Sequence, residues 1–405
     1  MSEGRRWGIA LAGVFMQMAL GAVYAWSVFR TPLVKEFHWS ISQVTLTFTI
    51  CIFVLGVAAF VGGLWLSKKG PRPVALTGCF LYGLGVFLAS YSANNLHWLY
   101  FSYGVIGGIG LGFGYIVPIS VLLKWFPDKR GLITGVAVGG FGAGALVTAP
   151  VATRLIQKVG VLHTFAYLGI AYLIVTMITA MFMQNPPAGY VPKGWTASAT
   201  QKAQRSAADY TLLDALKTWQ WWALWLALFL NTTAGISVIS QESPMFQEIA
   251  KVTAIAAAGM VGIASIGNAV GRVFWAWVSD GMTRRWTFVV MYLCQAVLFW
   301  VMPNIGEASL LTVLTFIILM CYGGGFGTMP AFAADYFGAK NIGPIYGLML
   351  TAWGFASAFG PLLIAHLRQS GTSFAYGLHI IAVIMLVSVV VPVVVRPPKQ
   401  PVGNS

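Results

Sequence analysis

One arginine in this sequence does not lie at the end of an apolar segment. Arg272 belongs to the stretch GNAVGRVFWAWVSDGMTRR, residues 267–285. Eight residues separate it from Asp280, which is about 12 Å of helix, so its guanidinium lies near mid-bilayer if Asp280 marks a membrane boundary. A charge at that depth is costly and usually has a function. Asn268 precedes Arg272 by one turn on the same helix face, and we expect this pair to bind an anion.

The structural alternative for Arg272 is an ion pair with a carboxylate of another helix. No Asp or Glu lies well inside an apolar segment, because Glu242, Asp280 and Asp335 are all near segment ends. An arginine keeps its proton, and its planar guanidinium can form two parallel hydrogen bonds with a carboxylate. These properties favour a bound anion over a buried ion pair.

Aromatic residues at similar depth are further candidates for the binding site. Tyr115 and Tyr322 lie about 13 and 20 Å of helix from Lys124 and Asp335, so both hydroxyls can reach central depth, where a carboxylate oxygen would be a suitable partner. Helix packing is the alternative role for each tyrosine. Phe326, Phe141 and Trp353 could form an apolar wall beside the anion. Tyr24 could serve as an outer gate or as a contact at the membrane interface.

His379 is a candidate for proton coupling because it lies inside the last apolar segment. Its titration range suits a proton relay, whereas a hydrogen bond to a neighbouring helix is the structural alternative. The proton could also travel on the substrate itself or through a tyrosine linked by water. The sequence leaves these three routes open.

Composition identifies a membrane protein. Of 405 residues, 58% are hydrophobic and 8% are charged, and the mean hydropathy is +0.78, which excludes a soluble globular chain. The net charge of +14 comes from short basic clusters between apolar segments, so nucleic acid is not an expected partner. Four cysteines at irregular spacing indicate neither a disulfide framework nor a metal site, and we expect no cofactor. No nucleophile has a base at a recognisable spacing, which argues against an enzyme.

Apolar segments of about 20 residues predict the helices that position these side chains. The predicted spans are 7–29, 43–66, 73–92, 98–123, 131–153, 161–183, 219–240, 254–278, 286–303, 309–333, 343–365 and 372–394. The predicted fold is an all-α polytopic membrane protein with twelve transmembrane helices in two pseudo-symmetric bundles of six. The predicted domains are an N-terminal bundle at 1–183, a cytoplasmic linker at 184–217 and a C-terminal bundle at 218–405.

Basic residues predict the orientation in the lipid bilayer. With both termini in the cytoplasm, 17 of the 24 Lys and Arg residues lie on the cytoplasmic side and 6 lie outside. The first apolar segment has no small-residue cleavage site, so we expect an uncleaved span. The predicted location is the plasma membrane, the inner membrane of a bacterium.

The two predicted bundles repeat each other at an offset of 212 to 213 residues. Three glycines, Gly131, Gly135 and Gly142, recur as Gly343, Gly347 and Gly354. Glycines at such spacing allow helices to approach closely. Arg272 corresponds to Ala59 and Asn268 to Leu55 at this offset, so the scaffold is repeated but the charge is not. Repeated halves of this kind suit alternating access around a central site.

Three motifs recur in known transporters: AVYAW at 22–26, WFPDKRG at 125–131 and Gly271–Arg272. By these motifs the chain resembles the major facilitator superfamily, and within it the branch of oxalate:formate antiporters and bacterial monocarboxylate transporters. The cytoplasmic loop signature of the superfamily is approximated twice, at 67–72 and 280–285. The resemblance covers essentially the whole chain, and it implies the twelve-helix fold of that superfamily.

Two departures from this branch bear on the substrate and on coupling. Oxalate carriers have a lysine where this sequence has Trp353, so a second cation for a dianion is missing and a monoanion is expected. Animal monocarboxylate carriers have an aspartate where this sequence has Asn268, so their proton acceptor is missing. The resemblance implies a secondary transporter of small monocarboxylates such as lactate or pyruvate, with proton symport favoured. A formate- or oxalate-type anion exchanger is the alternative.

Charged clusters at the cytoplasmic ends predict a gate rather than chemistry. We expect these clusters to hold the inner side closed in one conformation and to separate when it opens. The gate residues are Asp128, Arg130, Asp280, Arg284, Arg285 and Asp335. The expected partners of the protein are a monocarboxylate anion, a proton and lipid, and we expect it to function as a monomer.

Overall fold

The computed structural model describes residues 3–187, 189–192, 209–239, 242–369 and 373–398. Eleven helical segments in these ranges are long and apolar enough to cross a membrane. One of them, Gly131–Ala180, would extend about 75 Å as a single helix, more than twice the thickness of a bilayer core. It turns back at Gly160, whose φ of 82° suits glycine, and so crosses twice. The described chain therefore has twelve crossings, and the predicted all-α fold is confirmed.

The twelve crossings are labelled α1 to α12 in chain order. The first six are α1 (Glu3–Leu20), α2 (Ile41–Lys69), α3 (Pro71–Leu88), α4 (Gly108–Trp125), α5 (130–159) and α6 (161–180). The other six are α7 (Trp219–Ile239), α8 (Ala254–Gly281), α9 (Arg284–Val301), α10 (Ala308–Phe337), α11 (Ile342–Met349 and Thr351–Gln369) and α12 (Phe374–Ser388 and Val390–Val394).

Shorter helical pieces extend or join these crossings. Helix α1 continues through a 3-10 turn, Gly21–Ala25, into Trp26–Phe37, so its helical path runs well past the predicted end at 29. Helix α4 is preceded by a π-helical stretch, Tyr100–Gly107. The helix Glu242–Ile249 joins α7 to α8.

The predicted linker at 184–217 is described only in part. Residues 188 and 193–208 lie outside the described ranges. The described part contains the short helix Leu212–Leu216, whose first turn is capped by the hydroxyl of Thr211. The predicted domain boundaries stay a prediction.

Repeated glycines allow the two halves to touch. In α5, a Cβ atom on Gly135 would lie 2.5 Å from the carbonyl oxygen of Arg272 in α8. In α11, a Cβ atom on Gly347 would lie 2.6 Å from the carbonyl oxygen of Ala59 in α2. Side chains at these positions would force the helices apart, so glycine is required at both. The repeated pair thus performs the same packing role in each half.

The two ends of the molecule differ. The inner side is the end of the bundles that contains Asp280 and Asp335, and there the amide of Leu132 in α5 donates a hydrogen bond to Asp280 Oδ2 at 3.0 Å. The outer side contains Arg30 and Glu242, which line a cavity between the halves. In this conformation the halves are in contact on the inner side and separated by a cavity on the outer side.

Candidate functional site

Arg272 is completely buried where α5, α8 and the turn Gly21–Ala25 meet. Its Nε donates a hydrogen bond to Asn268 Oδ1 at 3.1 Å, within α8. Its Nη1 donates to the carbonyl oxygen of Val138 in α5 at 3.2 Å, and its Nη2 donates to the hydroxyl of Tyr24 at 3.3 Å. One side chain of the C-terminal half is therefore bonded to two elements of the N-terminal half.

The guanidinium of Arg272 has unused binding capacity. It carries five N–H donors, and the three hydrogen bonds just given use one each. Within the described residues, none of the ion pairs joins a carboxylate to Arg272. A buried cation held only by neutral groups suits an incoming anion, which would supply the missing charge.

An aromatic wall surrounds the cation. The guanidinium carbon lies 5.1 Å from the ring centre of Phe326 and 5.5 Å from that of Phe141. Trp353 packs between these two rings, with centroid distances of 4.7 and 5.7 Å. Such contacts stabilise a cation while they keep water away from it. They also give the site an apolar side that fits a short carbon chain.

Three polar atoms in this region make no hydrogen bond of good geometry to a described residue, although the hydroxyls of Tyr115 and Tyr346 lie close to each other. They are the hydroxyls of Tyr115 and Tyr346 and the indole Nε1 of Trp353. Each belongs to a side chain with 0% exposure, and Tyr115 and Trp353 are in contact, with ring centroids 5.6 Å apart. A buried donor without a partner costs about 1–3 kcal/mol, so a cluster of them next to a cation indicates a place for ligand oxygens.

Close packing of α8 and α10 fixes the depth of Arg272. A Cβ atom on Gly327 would lie 2.0 Å from the carbonyl oxygen of Arg272, and a Cβ atom on Gly323 would lie 2.1 Å from that of Asn268. Buried amides hold the neighbouring backbone, since Asn231 donates to the carbonyl of Tyr322 at 3.0 Å and Gln17 donates to that of Tyr115 at 3.0 Å. The helices that carry the site are therefore locked in register.

The structure brings together the eight side chains that the sequence selected for substrate binding. Besides the contacts above, the hydroxyls of Tyr24 and Tyr322 lie 3.1 Å apart, and Tyr115 packs edge to face on Phe141 at 5.1 Å. They form one continuous cluster, which we call the central cluster: Arg272, Asn268, Tyr115, Tyr322, Phe326, Phe141, Trp353 and Tyr24. Their role in substrate binding stays a prediction.

The cavity on the outer side leads to this cluster. Its lining includes Val261, Ser265 and Asn268, which are spaced four and three residues apart on one face of α8. Arg272 follows on the same face, four residues after Asn268. The cavity has a volume of about 60 Å³, which admits several water molecules. Solvent on the outer side can thus approach the site.

His379 lies in α12 and contacts α9, outside the central cluster. Its Nε2 is 3.2 Å from the carbonyl oxygen of Trp300, and its ring packs on the Trp300 indole at 4.6 Å. Trp300 and Tyr376 beside it are more than half exposed on the outside of the bundle. These contacts are with α9 and not with the central cluster, so the structure gives His379 the hydrogen-bonding arrangement that was its alternative.

The predicted gate residues are brought together only in part. Arg284 pairs with Asp280 at 2.7 Å and with Asp335 at 3.1 Å. Asp128 pairs with Arg6, at 3.2 Å, which the sequence had not selected. Arg285 instead donates to the carbonyl oxygen of Pro392 at 3.1 Å, away from the interface of the halves. The side chain of Arg130 lies outside the described residues.

Two side chains near the cavity and the site were missed from the sequence. Tyr346 lies seven residues, two turns, before Trp353, and this spacing could have indicated a shared face. Glu242 lies near the end of a predicted span, a position that does not indicate burial. In the structure its side chain is buried, at 3% exposure, and lines the outer cavity.

The chain is similar to known transporters. The family model described as "Major Facilitator Superfamily" matches residues 9–361 and 256–405. The oxalate:formate antiporter of Oxalobacter formigenes is 27% identical over 411 residues, covering 99% of this chain and 95% of that protein. Monocarboxylate transporter 1 of Rattus norvegicus is 30% identical over 214 residues, which are 51% of this chain and 42% of that protein.

A solved structure supports the same fold. The crystal structure of the transporter FucP in the outward conformation superposes with a TM-score of 0.69 at 15% identity, covering 95% of this chain and 97% of that one. The relatives are transporters and not enzymes, which agrees with the absence of a catalytic arrangement from the sequence. With its family match over most of its length, its twelve crossings and its repeated halves, the chain is a multi-pass membrane transporter that belongs to the Major Facilitator Superfamily.

Proposed function

We propose that this transporter carries small monocarboxylates, of which lactate and pyruvate fit best, by proton symport and alternating access, with the carboxylate bound at Arg272. The observation that carries the proposal is a completely buried guanidinium with spare N–H donors and no carboxylate partner among the described residues. The unpartnered hydroxyls of Tyr115 and Tyr346 would donate to the second carboxylate oxygen.

Charge favours a substrate with one carboxylate. The central cluster contains a single cation, Arg272, and Trp353 stands where oxalate carriers have a lysine. A monoanion cancels that cation, whereas a dianion would leave one negative charge in a low-dielectric site. The apolar faces of Phe141, Phe326 and Trp353 suit a short carbon chain. The relationship to a monocarboxylate transporter supports the same substrate class.

Anion exchange is the alternative function. The relationship to an oxalate:formate antiporter favours it, because that protein matches this chain over nearly its whole length. The central cluster taken by itself is neutral only when an anion is bound, and a neutral cluster reorients more easily, which suits exchange. Trp353 argues against oxalate as the exchanged anion, because it supplies no second cation.

Flux through purified protein in liposomes tests the proposal. Arg272→Lys keeps the charge but loses the planar fork, so we expect a 10- to 100-fold loss in the ratio of uptake rate to apparent KM for labelled lactate, about 1.4–2.7 kcal/mol. The matched control is Arg5→Lys, an exposed arginine bonded to Gln184, which should transport normally. Wild-type kinetics in Arg272→Lys would contradict carboxylate binding at this residue.

Two further measurements separate the candidate mechanisms. Competition by lactate, pyruvate, formate and oxalate orders the substrates, and oxalate should compete least. Uptake driven by an inward proton gradient with no anion inside supports symport. Uptake that requires an anion inside supports exchange instead.

A further inference from the structure

Glu242 is a buried acid that the proposed function does not yet use. It begins the helix Glu242–Ile249, between α7 and α8, and is 3% exposed. Its Oε1 has no hydrogen-bond partner among the described residues. No ion pair of the described residues includes it. An ionised carboxylate buried without a partner is costly, whereas the protonated acid is not.

The surroundings of Glu242 favour its protonated form at neutral pH. Burial raises the pKa of Glu242 to about 8. The acid is therefore neutral below about pH 8 and becomes charged above it. The usual value for glutamate, about 4.3, would leave it charged at all physiological pH values. Glu242 can thus gain and lose a proton in the pH range where the protein works.

Two other ionisable side chains line the same cavity. Arg30, in the helix Trp26–Phe37, lies at the outer end, and burial lowers its pKa. Arg30 is only partly buried and forms no ion pair with Glu242 within 4 Å. Tyr24 lies at the inner end, where its hydroxyl is bonded to Arg272 and Tyr322. From α2, α5, α8 and α10 the cavity receives only uncharged side chains.

The cavity connects the acid to the anion site. Its lining includes both Glu242 and Asn268, the hydrogen-bond acceptor of Arg272. From Val261 to Asn268 the shared wall of α8 is about 10 Å long, and the cavity admits several water molecules. Water along this wall can carry a proton between the outer solution and Glu242, and anions enter by the same route.

Net charge distinguishes four states of the carrier. When the site is empty and Glu242 is ionised, its charge cancels that of Arg272. When an anion and a proton are both bound, the anion cancels Arg272 and Glu242 is neutral. An anion alone leaves one negative charge, and a proton alone leaves one positive charge. Arg30 adds the same charge to all four states at the partly exposed mouth, where water screens it.

We propose that Glu242 is the proton-binding site of the transport cycle, and that it makes anion transport depend on one proton per anion. This inference rests on the proposed monocarboxylate function. Only the empty carrier and the doubly loaded carrier are free of an uncompensated buried charge, so only these two reorient readily. A proton passes from outer water to the Glu242 carboxylate, and after reorientation it passes from the carboxylic acid to water on the inner side.

Glu242→Gln tests the role because glutamine imitates the protonated acid permanently. In liposomes, the variant should retain exchange of labelled lactate for unlabelled lactate at equal pH on both sides. It should lose accumulation driven by a proton gradient by at least about tenfold. Glu248→Gln is the matched control, since Glu248 is an exposed acid on the same helix, and it should keep both activities. Gradient-driven accumulation at the wild-type level in Glu242→Gln would overturn the proposal.

The pH profile gives a second readout. At a fixed lactate concentration, carboxylic acids of this class are ionised throughout pH 6–9, so substrate charge does not change. Wild-type uptake should fall as the external pH rises above about 8, by about tenfold per unit once the acid is mostly ionised. Exchange by Glu242→Gln should not show this fall. A wild-type profile that is flat up to pH 9 contradicts the assignment.

A further variant keeps the test decisive if Glu242→Gln does not transport at all. Glu242→Asp preserves a titratable carboxyl group, and recovery of gradient-driven uptake in it supports the assignment. Loss of transport in both variants, with wild-type thermal stability, contradicts a role limited to proton binding. Failure of the wild-type protein to move any of lactate, pyruvate, formate and oxalate contradicts the proposed function itself, and with it the role of Glu242.

Discussion

Two buried tyrosines show how the structure separates binding residues from packing residues. Both Tyr115 and Tyr292 are completely buried. The hydroxyl of Tyr292 donates to the carbonyl oxygen of Ala227 at 2.5 Å, so its hydrogen-bonding need is met within the protein. The hydroxyl of Tyr115 makes no hydrogen bond of good geometry to a described residue, and it lies near Tyr346 and Arg272, next to the rings of the central cluster. We therefore assign different roles to two chemically identical groups.

Conversion of each tyrosine to phenylalanine tests this assignment. Tyr115→Phe should raise the apparent KM for lactate about 5- to 10-fold, about 1–1.4 kcal/mol, and change the melting temperature little, because no internal hydrogen bond of good geometry is lost. Tyr292→Phe should leave the KM unchanged and destabilise the protein by about 1 kcal/mol. Uptake kinetics and thermal unfolding in detergent measure the two effects. An unchanged KM in Tyr115→Phe would exclude a contact with the substrate.

At the scale of single residues, the sequence predicted depth and helix face but not partners. Arg272 and Asn268 share a face because the helical period requires it, and they are bonded in the structure. The carbonyl of Val138 as a third acceptor could not be foreseen, since any backbone carbonyl can accept and only the packing of α5 on α8 selects one. Glu242 was missed because a position near the end of a span does not reveal burial.

At the scale of helices, the glycines of α10 determine how closely α10 packs against α8, the helix that carries Arg272. Gly327 faces the backbone of Arg272, where a Cβ atom would lie 2.0 Å from the carbonyl oxygen. Gly327→Ala should therefore push α8 away from α10, lower the melting temperature and reduce lactate uptake at least fivefold. Gly262→Ala is the control, since a Cβ atom at that position of α8 meets no atom within 4 Å.

Alanine has a higher helix propensity than glycine, so we expect Gly262→Ala to be as stable as the wild type or slightly more stable. Equal stability and transport in the two variants would show that the close contact of α8 and α10 is not required. The measurements are thermal unfolding in detergent and initial uptake rate in liposomes.

Helix α12 shows why the sequence did not predict the position of His379. Apart from His379 and Ser388, Phe374–Ser388 carries apolar or aromatic residues on every side, so periodicity does not tell which face meets lipid and which meets protein. The glycine repeats of α5 and α11, by contrast, predicted two helix interfaces. Repeated glycines are needed where the backbone of another helix comes too close for a Cβ atom. The sequence thus indicated helix contacts wherever small residues mark them.

At the scale of the whole molecule, Asp280 links the halves on the inner side. It pairs with Arg284 in its own half and accepts a hydrogen bond from Leu132 in the other half. Asp280→Asn removes the charge that faces the first turn of α5, where a negative charge is stabilised by the helix dipole. We expect a shift of about 1 kcal/mol, about fivefold, toward conformations open on the inner side.

Distances between spin labels on the inner ends of α5 and α8 measure this shift. Asp214→Asn is the control, because Asp214 pairs with Lys217 on an exposed surface and not across the halves. A distance distribution that is identical in wild type and Asp280→Asn would contradict a gating role for this residue.

The hydrogen bonds of Arg272 to Val138 and Tyr24 connect the two halves of the protein through one guanidinium. A carboxylate that binds to the two unused N–H groups shares the guanidinium with these internal acceptors, so it weakens their hydrogen bonds without having to displace them. Each bound substrate molecule therefore weakens the hydrogen bonding between the two halves. Apparent affinity then includes the free energy lost from these hydrogen bonds. Tyr24→Phe removes one of them and keeps the ring, so the empty carrier should reorient more often in this variant.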